Sequence, residues 1–376
     1  VGFGVEEGVL GNDQFGLAVG ITDAGASRRV VVGAPQYDNG VNVDAGAAYF
    51  FNDSVLNTAI IGDVNGANLA FSVAIDGAEA LVGVPRASGS AGHVRAYTYS
   101  TTWTQNGTSV TQADAAADDS FGWSVDVNDT LAVAGAPNDH EDETIAPPGA
   151  PLAGSVLVLS KGGTWGAEAE YVGAADPIFG DNFTSFGHAI AMTDTWLAVG
   201  SPLEDLGRGA VYLYRNVGGV WTPHSRLASM WRQSDGMQFG FAVALHGSHL
   251  VVGAPSATGF PNGVGFAGAV YLFEFNGTAW EQQVERFSPN PTTNGGFGYS
   301  VDIFGDVVVI GSPIENDNGG RVYFTRDLNT LSGLADITAT LPSTDTYWGT
   351  SVAAYDPAPG TPDDESIVIG TDDHDA

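Results

Sequence analysis

Short runs of alternating apolar and small residues recur along the whole chain, and their length and period predict strands, not helices. The first run reads Phe-Gly-x-(Ser/Ala)-Val or a close variant. It begins at Phe15, Leu69, Phe121, Phe186, Phe239, Phe297 and Trp348, at intervals of 51 to 65 residues. A second, strongly apolar run follows each copy and ends on Pro35, Pro85, Pro137, Pro202, Pro255 or Pro313; the seventh, IVIGTD at 367–372, has no proline. A third, Gly-x-(Val/Ala)-Tyr-x-(Phe/Tyr) or a variant, falls at 46–51, 92–97, 209–214, 268–273 and 320–324, with GSVLVL at 154–159. A fourth opens in several units on tryptophan: Trp103, Trp165, Trp221 and Trp280.

Four short strands per unit, repeated seven times, predict an all-β, seven-bladed β-propeller of four-stranded antiparallel blades, a ring that leaves no sheet edge long and bare. Residues 1–376 are read as one such domain, part of a longer surface protein. Along the first strand, alternation sets Phe121, Trp123 and Val125 on one face and Gly122 and Ser124 on the other. The bulk of one blade is expected to nest against the bare side of the next. The proline after the second strand stops it at a defined rim. Residues 5–10 precede Phe15 as fourth strands precede the other first strands, so the N-terminal strand is expected to close the last blade. The third strand of that blade is left to two alternatives: residues 1–4 supply it, or the sequence is cut from a longer protein inside its last blade.

The paired FGxSV and VVVGAP motifs resemble the FG-GAP repeats that build the propeller of integrin α-subunits and of many bacterial and archaeal surface proteins. The resemblance runs over residues 15–372. It implies an extracellular or cell-surface module for adhesion or ligand recognition.

Charge narrows the partners. The chain has 44 acids against 12 bases, a formal charge of −32, and Lys161 is its single lysine. Nucleic acid and anionic membrane are poor partners for such a chain, so no nucleic acid and no membrane insertion are expected, and no apolar run approaches the about 18 residues of a membrane helix. The acids are scattered along the chain, as on a surface adapted to a saline habitat. There is no cysteine, so disulfides and zinc-thiolate sites are excluded.

In integrin-type propellers the hairpin between first and second strands often carries a calcium loop. Here most of these hairpins are too short to wrap a cation, and the long seventh one, 356–365, is interrupted by prolines. No cofactor is required, and calcium stays open at two loops beyond the second strands: Asp38, Asn42 and Asp44, with oxygens on alternating positions, and Asp139 with Asp142. Asp63-Val-Asn65-Gly-Ala-Asn68 is a weaker match of the same kind. Acids recur after the second strands, at Glu204 and Glu315 among others, where turn chemistry competes with metal binding.

Strand alternation sends the second-to-third loops and the blade crossings to one face. Phe179, Phe183, Met230, Trp231, Phe260 and Phe266 fall in these loops and form the candidate ligand surface, for a protein or a carbohydrate. His188 holds a first-strand position filled elsewhere by large apolar residues and reads as a core ring. No nucleophile elbow, P-loop or dinucleotide fingerprint is present. The function expected is non-enzymatic binding or adhesion. The alternatives are a polysaccharide-acting propeller enzyme, which facing channel carboxylates with shifted pKa values would favour, and a structural spacer.

Overall fold

The computed structural model describes residues 13–23, 25, 27–113, 115–139, 153–161, 165–172, 184–230, 235–258, 263–337, 347–356 and 365–371. Six four-stranded antiparallel sheets, each in the order first-second-third-fourth, form six blades. The seventh repeat differs from expectation: among the described residues it contributes only the pair Ser351–Tyr355 and Ser366–Gly370. Among the described residues there are therefore six four-stranded blades, not the seven expected. Residues 5–10, expected to close the ring, lie outside the described residues.

The innermost strands (Ala18–Asp23, Val73–Asp76, Ser124–Val127, Ala189–Met192, Ala242–His246, Ser300–Phe304 and Ser351–Tyr355) pack side by side around a central axis. Ser351–Tyr355 touches both Ser300–Phe304 and Ala18–Asp23, so the two-stranded sheet sits between blade six and blade one.

The two namesake glycines meet across six of the blade boundaries, and at the seventh Ala70 takes the place of one. A Cβ on Gly83, Gly135, Gly200, Gly253 or Gly311 would lie 2.0–2.1 Å from the carbonyl oxygen of Gly122, Gly187, Gly240, Gly298 or Gly349 in the next repeat. Gly33 meets Ala70 at 2.1 Å and Gly370 meets Gly16 at 1.9 Å. The bare face expected on the first strand is divided: Gly122 lies against Gly83 of the preceding repeat while Ser124 meets the Gly187 carbonyl of the next, and in both places the neighbour is backbone, not bulk.

The phenylalanine of each motif lies outside the inner strand. The following residue is left-handed, with φ of 87–100° at Gly16, Gly122, Gly187, Gly240, Gly298 and Gly349 and 67° at Ala70, so the chain turns there before the strand begins. The motif's opening residue instead pairs in parallel with the glycine opening the preceding blade's third strand, as Phe239 does with Gly209 and Phe297 with Gly268. Its ring is buried against its own third strand, Phe239 on Tyr271 at 5.2 Å and Phe297 on Tyr323 at 5.6 Å.

The serine or alanine of the motif is a latch. Ser72, Ser124, Ser300 and Ser351 donate their hydroxyls to the carbonyls of Gly122, Gly187, Gly349 and Gly16 at 2.7–2.8 Å. Ala18, Ala189 and Ala242 hold the same position in the other repeats. Ser124→Ala should cost about 1 kcal/mol, and Ala189→Ser, facing the Gly240 carbonyl, should gain up to a similar amount. Urea midpoints that move in the same direction for both variants would refute the latch.

Candidate functional site

The third residue of the motif surrounds the axis just inside the loop-rich face. Phe71, Trp123, His188, Phe241 and Tyr299 form a continuous arc, with ring centroids 4.6, 5.9, 4.6 and 4.9 Å apart in that order. Leu17 and Thr350 take the remaining two places. All five rings are half-buried, so His188, read from sequence as a core ring, belongs to a collar with one side open. Burial pushes its imidazole down to about 4, against the opposing effect of the Phe241 carbonyl 3.2 Å from Nδ1. It is neutral at pH 7 and behaves as one more flat ring.

Below the collar the axial channel encloses about 690 Å³ and is lined by aliphatic residues, among them Val19, Val125, Ile190 and Val301. Five aspartates also line it, Asp23, Asp76, Asp126, Asp194 and Asp302. Asp126 is pushed up to about 7, chiefly by burial and then by the charges of Asp302 and Asp76; burial raises Asp302 to about 6. Both oxygens of each are engaged by backbone. Asp126 accepts from its neighbour Val127 N (2.8 Å) and from Met192 N of the next blade (2.6 Å); Asp302 accepts from Ile303 N (2.8 Å) and Ala354 N (2.7 Å). The amides of the next inner strand thus find an acceptor that Gly20, Ala74, Ala191, Ala244 and Ala353 do not offer at this position.

A carboxyl whose folded pKa lies above its unfolded value of about 3.9 binds its proton more tightly in the native state, so stability falls as pH rises through the interval between the two values. For Asp126 that interval ends near pH 7. Burial also lowers His93 and His188 to about 4, and these groups oppose the trend below about pH 6.5. Tm should therefore decline from pH 6.5 to 8, and Asp126→Asn should flatten that decline. A parallel decline in the variant would show that another group is responsible.

At the opposite mouth Asp76, Asn128, Asp129, Asp194 and Asn216 line a second cavity of about 490 Å³. Asn128 donates to Asp194 there at 3.0 Å.

The loop-rich face carries a different chemistry. Val41, Val43, Leu203, Leu206, Phe266 and Ile314 in second-to-third loops, with Val64 and Met230 in crossings, are 37–87% exposed. Met230, 72% exposed, is held on blade five by its amide, which donates to Gln282 at 2.9 Å; Phe266, 52% exposed, belongs to a loop of the same blade.

Phe266 also departs from its sibling repeats. Two residues before the glycine that opens the third strand, the backbone is left-handed at Asp44, Ser90, Gly207 and Asn318, with φ of 50–75°. The carbonyls there accept the amides of Asn68, Ser120, Gln238 and Tyr347 at 2.8–3.0 Å, which docks each crossing on the preceding blade. Asp, Ser, Gly and Asn suit that conformation. Blade five puts phenylalanine there at φ 52°, and Leu206 in blade four is likewise left-handed at φ 60°. Two large apolar side chains are held, half in solvent, on backbone that disfavours them.

Of the other expected ligand residues, Phe179, Phe183, Trp231 and Phe260 lie outside the described residues, as does Asp142 of the metal candidates. Asp38 accepts the Asp44 amide at 2.7 Å, Asn39 accepts from Val41 and Asn42 at 2.9 and 2.8 Å, and Asn42 donates to the Asp63 carbonyl at 3.2 Å. Val43 N donates to Asn65 at 2.9 Å. The two calcium-like loops thus come together and brace each other through their own amides. Asp139 is buried and accepts from Gln112 at 3.0 Å.

Glu204 and Glu315, 1% and 0% exposed, anchor third-strand tyrosines. Tyr212 donates to Glu204 at 2.9 Å with Arg226 beside it at 2.6 Å, and Tyr323 donates to Glu315 at 2.6 Å. Their signal in the sequence is the joint occurrence of glutamate two residues after the proline and tyrosine three residues after the next strand-opening glycine. Among the described residues no group of three or more His, Cys, Asp or Glu is arranged to hold a metal ion, and no helix is long and apolar enough to cross a membrane.

Fold and repeat geometry define a β-propeller with an aromatic collar and an apolar loop face. The FG-GAP repeat family model matches residues 103–156, 233–273 and 280–325, and the chain is a β-propeller carrying FG-GAP repeats. Among solved structures it is similar to a GH74 xyloglucanase from Xanthomonas campestris, with a TM-score of 0.51 and 13% identity over 96% of this chain and 51% of that one. That likeness is one of fold, and this chain spans about half the length of that one. Among curated proteins no match was found.

Proposed function

We propose that the chain is a non-enzymatic extracellular binding module that takes a protein or glycan ligand on its loop-rich face. The observation that carries this reading is Phe266, an exposed ring at a left-handed position that sibling repeats fill with Asp, Ser, Gly or Asn. Backbone strain of about 1–2 kcal/mol retained for a solvent-facing ring contributes nothing to folding, and contact with a ligand accounts for it. Met230 and Leu206 extend the apolar surface, and the open side of the aromatic collar offers flat rings at its centre. This reading does not require calcium; in the 38–44 loop Asp38 and Asn39 each turn a side-chain oxygen on the loop's own amides.

A polysaccharide-acting enzyme is the second reading, favoured by the raised pKa values of Asp126 and Asp302 in the channel. Their four oxygens are all engaged by strand amides, which gives both residues a role in joining blades and ranks the binder first.

The test is Phe266→Asn, which copies Asn318. Arrays of glycans and extracellular proteins probed with the native chain should yield a ligand whose affinity falls at least tenfold in the variant, while Tm stays level or rises slightly. Undiminished capture by Phe266→Asn and by Leu206→Gly would reject the loop face. Hydrolysis of polysaccharides, xyloglucan included, that Asp126→Asn abolishes would instead establish the enzyme.

A further inference from the structure

The hairpin-side mouth of the axial channel is built from two unlike halves. Seven residues on from the motif's opening residue, where each inner strand ends, the first four repeats place Thr22, Asp76, Asn128 and Thr193 and the last three place His246, Phe304 and Tyr355. The three rings form an arc along the channel lining, with centroids 4.8 and 4.7 Å apart, and all three are half-buried. They are neutral at pH 7. Burial and then the neighbouring His249 lower the imidazole of His246, while burial and then the hydrogen-bonded Asp23 carboxylate push the Tyr355 hydroxyl up to about 12.

The facing half is acidic. Asp76, Asn128 and Asp194 line both the channel and the adjoining cavity of about 490 Å³, where Asp129 joins them. Thr22 donates to Asp76 at 3.4 Å and Asn128 to Asp194 at 3.0 Å, but neutral donors leave the negative charge in place. Burial and then the charges of Asp129 and Asp194 raise the carboxyl of Asp76 above its ordinary range. Arg29, beside this wall, donates to the Gly77 carbonyl at 2.7 Å and lies 3.9 Å over the Tyr99 ring. Among the described residues Asp76, Asp129 and Asp194 form no ion pair.

Flat neutral rings on one side of an opening and carboxylates on the other favour the same guest. Ring faces attract a cation through their quadrupole, carboxylates attract it through charge, and alkyl groups suit the aliphatic channel behind them. A small, strongly hydrated metal ion would gain little from the rings. We propose that the hairpin-side mouth binds an alkylated ammonium ion, seated between the arc of His246, Phe304 and Tyr355 and the wall of Asp76 and Asp194. The site lies on the face opposite the loop surface and does not rest on the binding reading given for that surface.

Calorimetric titration of the full chain with tetramethylammonium chloride tests this, with sodium chloride holding ionic strength constant so that screening of the net charge does not change. A peptide carrying trimethyllysine, titrated in parallel, distinguishes a modified side chain from a free ion as the source. Saturable binding of either probe is expected. Phe304→Leu, which keeps every charge, and Asp76→Asn, which keeps every ring, should each weaken that binding about fivefold or more. Asp76 is half-buried, so its variant keeps the test decisive if Phe304→Leu lowers Tm to the titration temperature. Three results would overturn the proposal: no saturable binding of either probe, equal affinity in the native chain and in Asp76→Asn, or binding that Phe241→Leu abolishes and Phe304→Leu spares, which would place the cation in the collar at the other mouth.

Discussion

Gly253→Ala is expected to destabilise the propeller by more than about 4 kcal/mol, although it adds one methyl group far from any loop. The Cβ would stand 2.0 Å from the Gly298 oxygen and 3.0 Å from its carbonyl carbon. Both partners are backbone, Gly253 in a second strand and Gly298 in the turn that leads into the next inner strand, so relief requires one blade to move against its neighbour. Gly253 does not have a left-handed φ, so the clash alone sets the cost. Gly166→Ala is the control: nothing lies within 4 Å of its Cβ, and the substitution should be neutral or slightly stabilising. Urea unfolding of the two variants side by side is the measurement, and a Gly253→Ala midpoint close to the native one would refute the contact.

The same contact explains which parts of the fold were legible in sequence. Strands, their order in each blade and their boundaries at proline followed from period and punctuation, because each depends on local backbone chemistry. The packing rule did not. Glycine at alternate positions reads as a bare face, but sequence does not say whether a side chain or a carbonyl fills it. The opening phenylalanine was misplaced for a related reason: strict alternation assigned it to the face of Trp123 and Val125, whereas the left-handed glycine after it turns Phe121 away into a blade core, fully buried.

The candidate site divides in the same way. Met230 and Phe266 were found as apolar residues in loops, a signal visible in composition. That Phe266 is left-handed was not visible until the repeats were aligned on the third-strand glycine, where Asp44, Ser90, Gly207 and Asn318 mark a conformation no single loop reveals. Acids were the least legible. Asp38 and Glu315 stand at similar distances from a proline, yet one caps an exposed turn and the other is buried on a tyrosine hydroxyl. Carboxylate spacing does not encode which oxygens the backbone will use first.

Arg326→Ala should cost about 2–4 kcal/mol, the second largest effect expected, and the loss should concentrate in the seventh sheet. The guanidinium joins three carboxylates from two repeats: Asp306 at 2.8 Å, Asp356 at 3.2 Å and Glu365 at 2.6 Å. Asp356 and Glu365 stand at the two ends of the long seventh hairpin, so a single side chain ties that hairpin shut and fastens it to blade six. Asp356 is 1% exposed, and without the arginine its charge would be buried beside two others of the same sign. Partial exposure of Arg326 and Asp306 lets solvent screen part of the loss, which keeps the figure below that of a fully buried pair. Arg326→Lys restores charge but not a planar fork able to reach three carboxylates, and should recover less than half of the deficit. Hydrogen exchange should accelerate in Ser351–Tyr355 and Ser366–Gly370 and remain unchanged in blades two to four. Uniform acceleration across all blades would mean that the seventh sheet is no weaker than the rest of the ring, whereas unchanged exchange in that sheet would mean that Arg326 does not hold it.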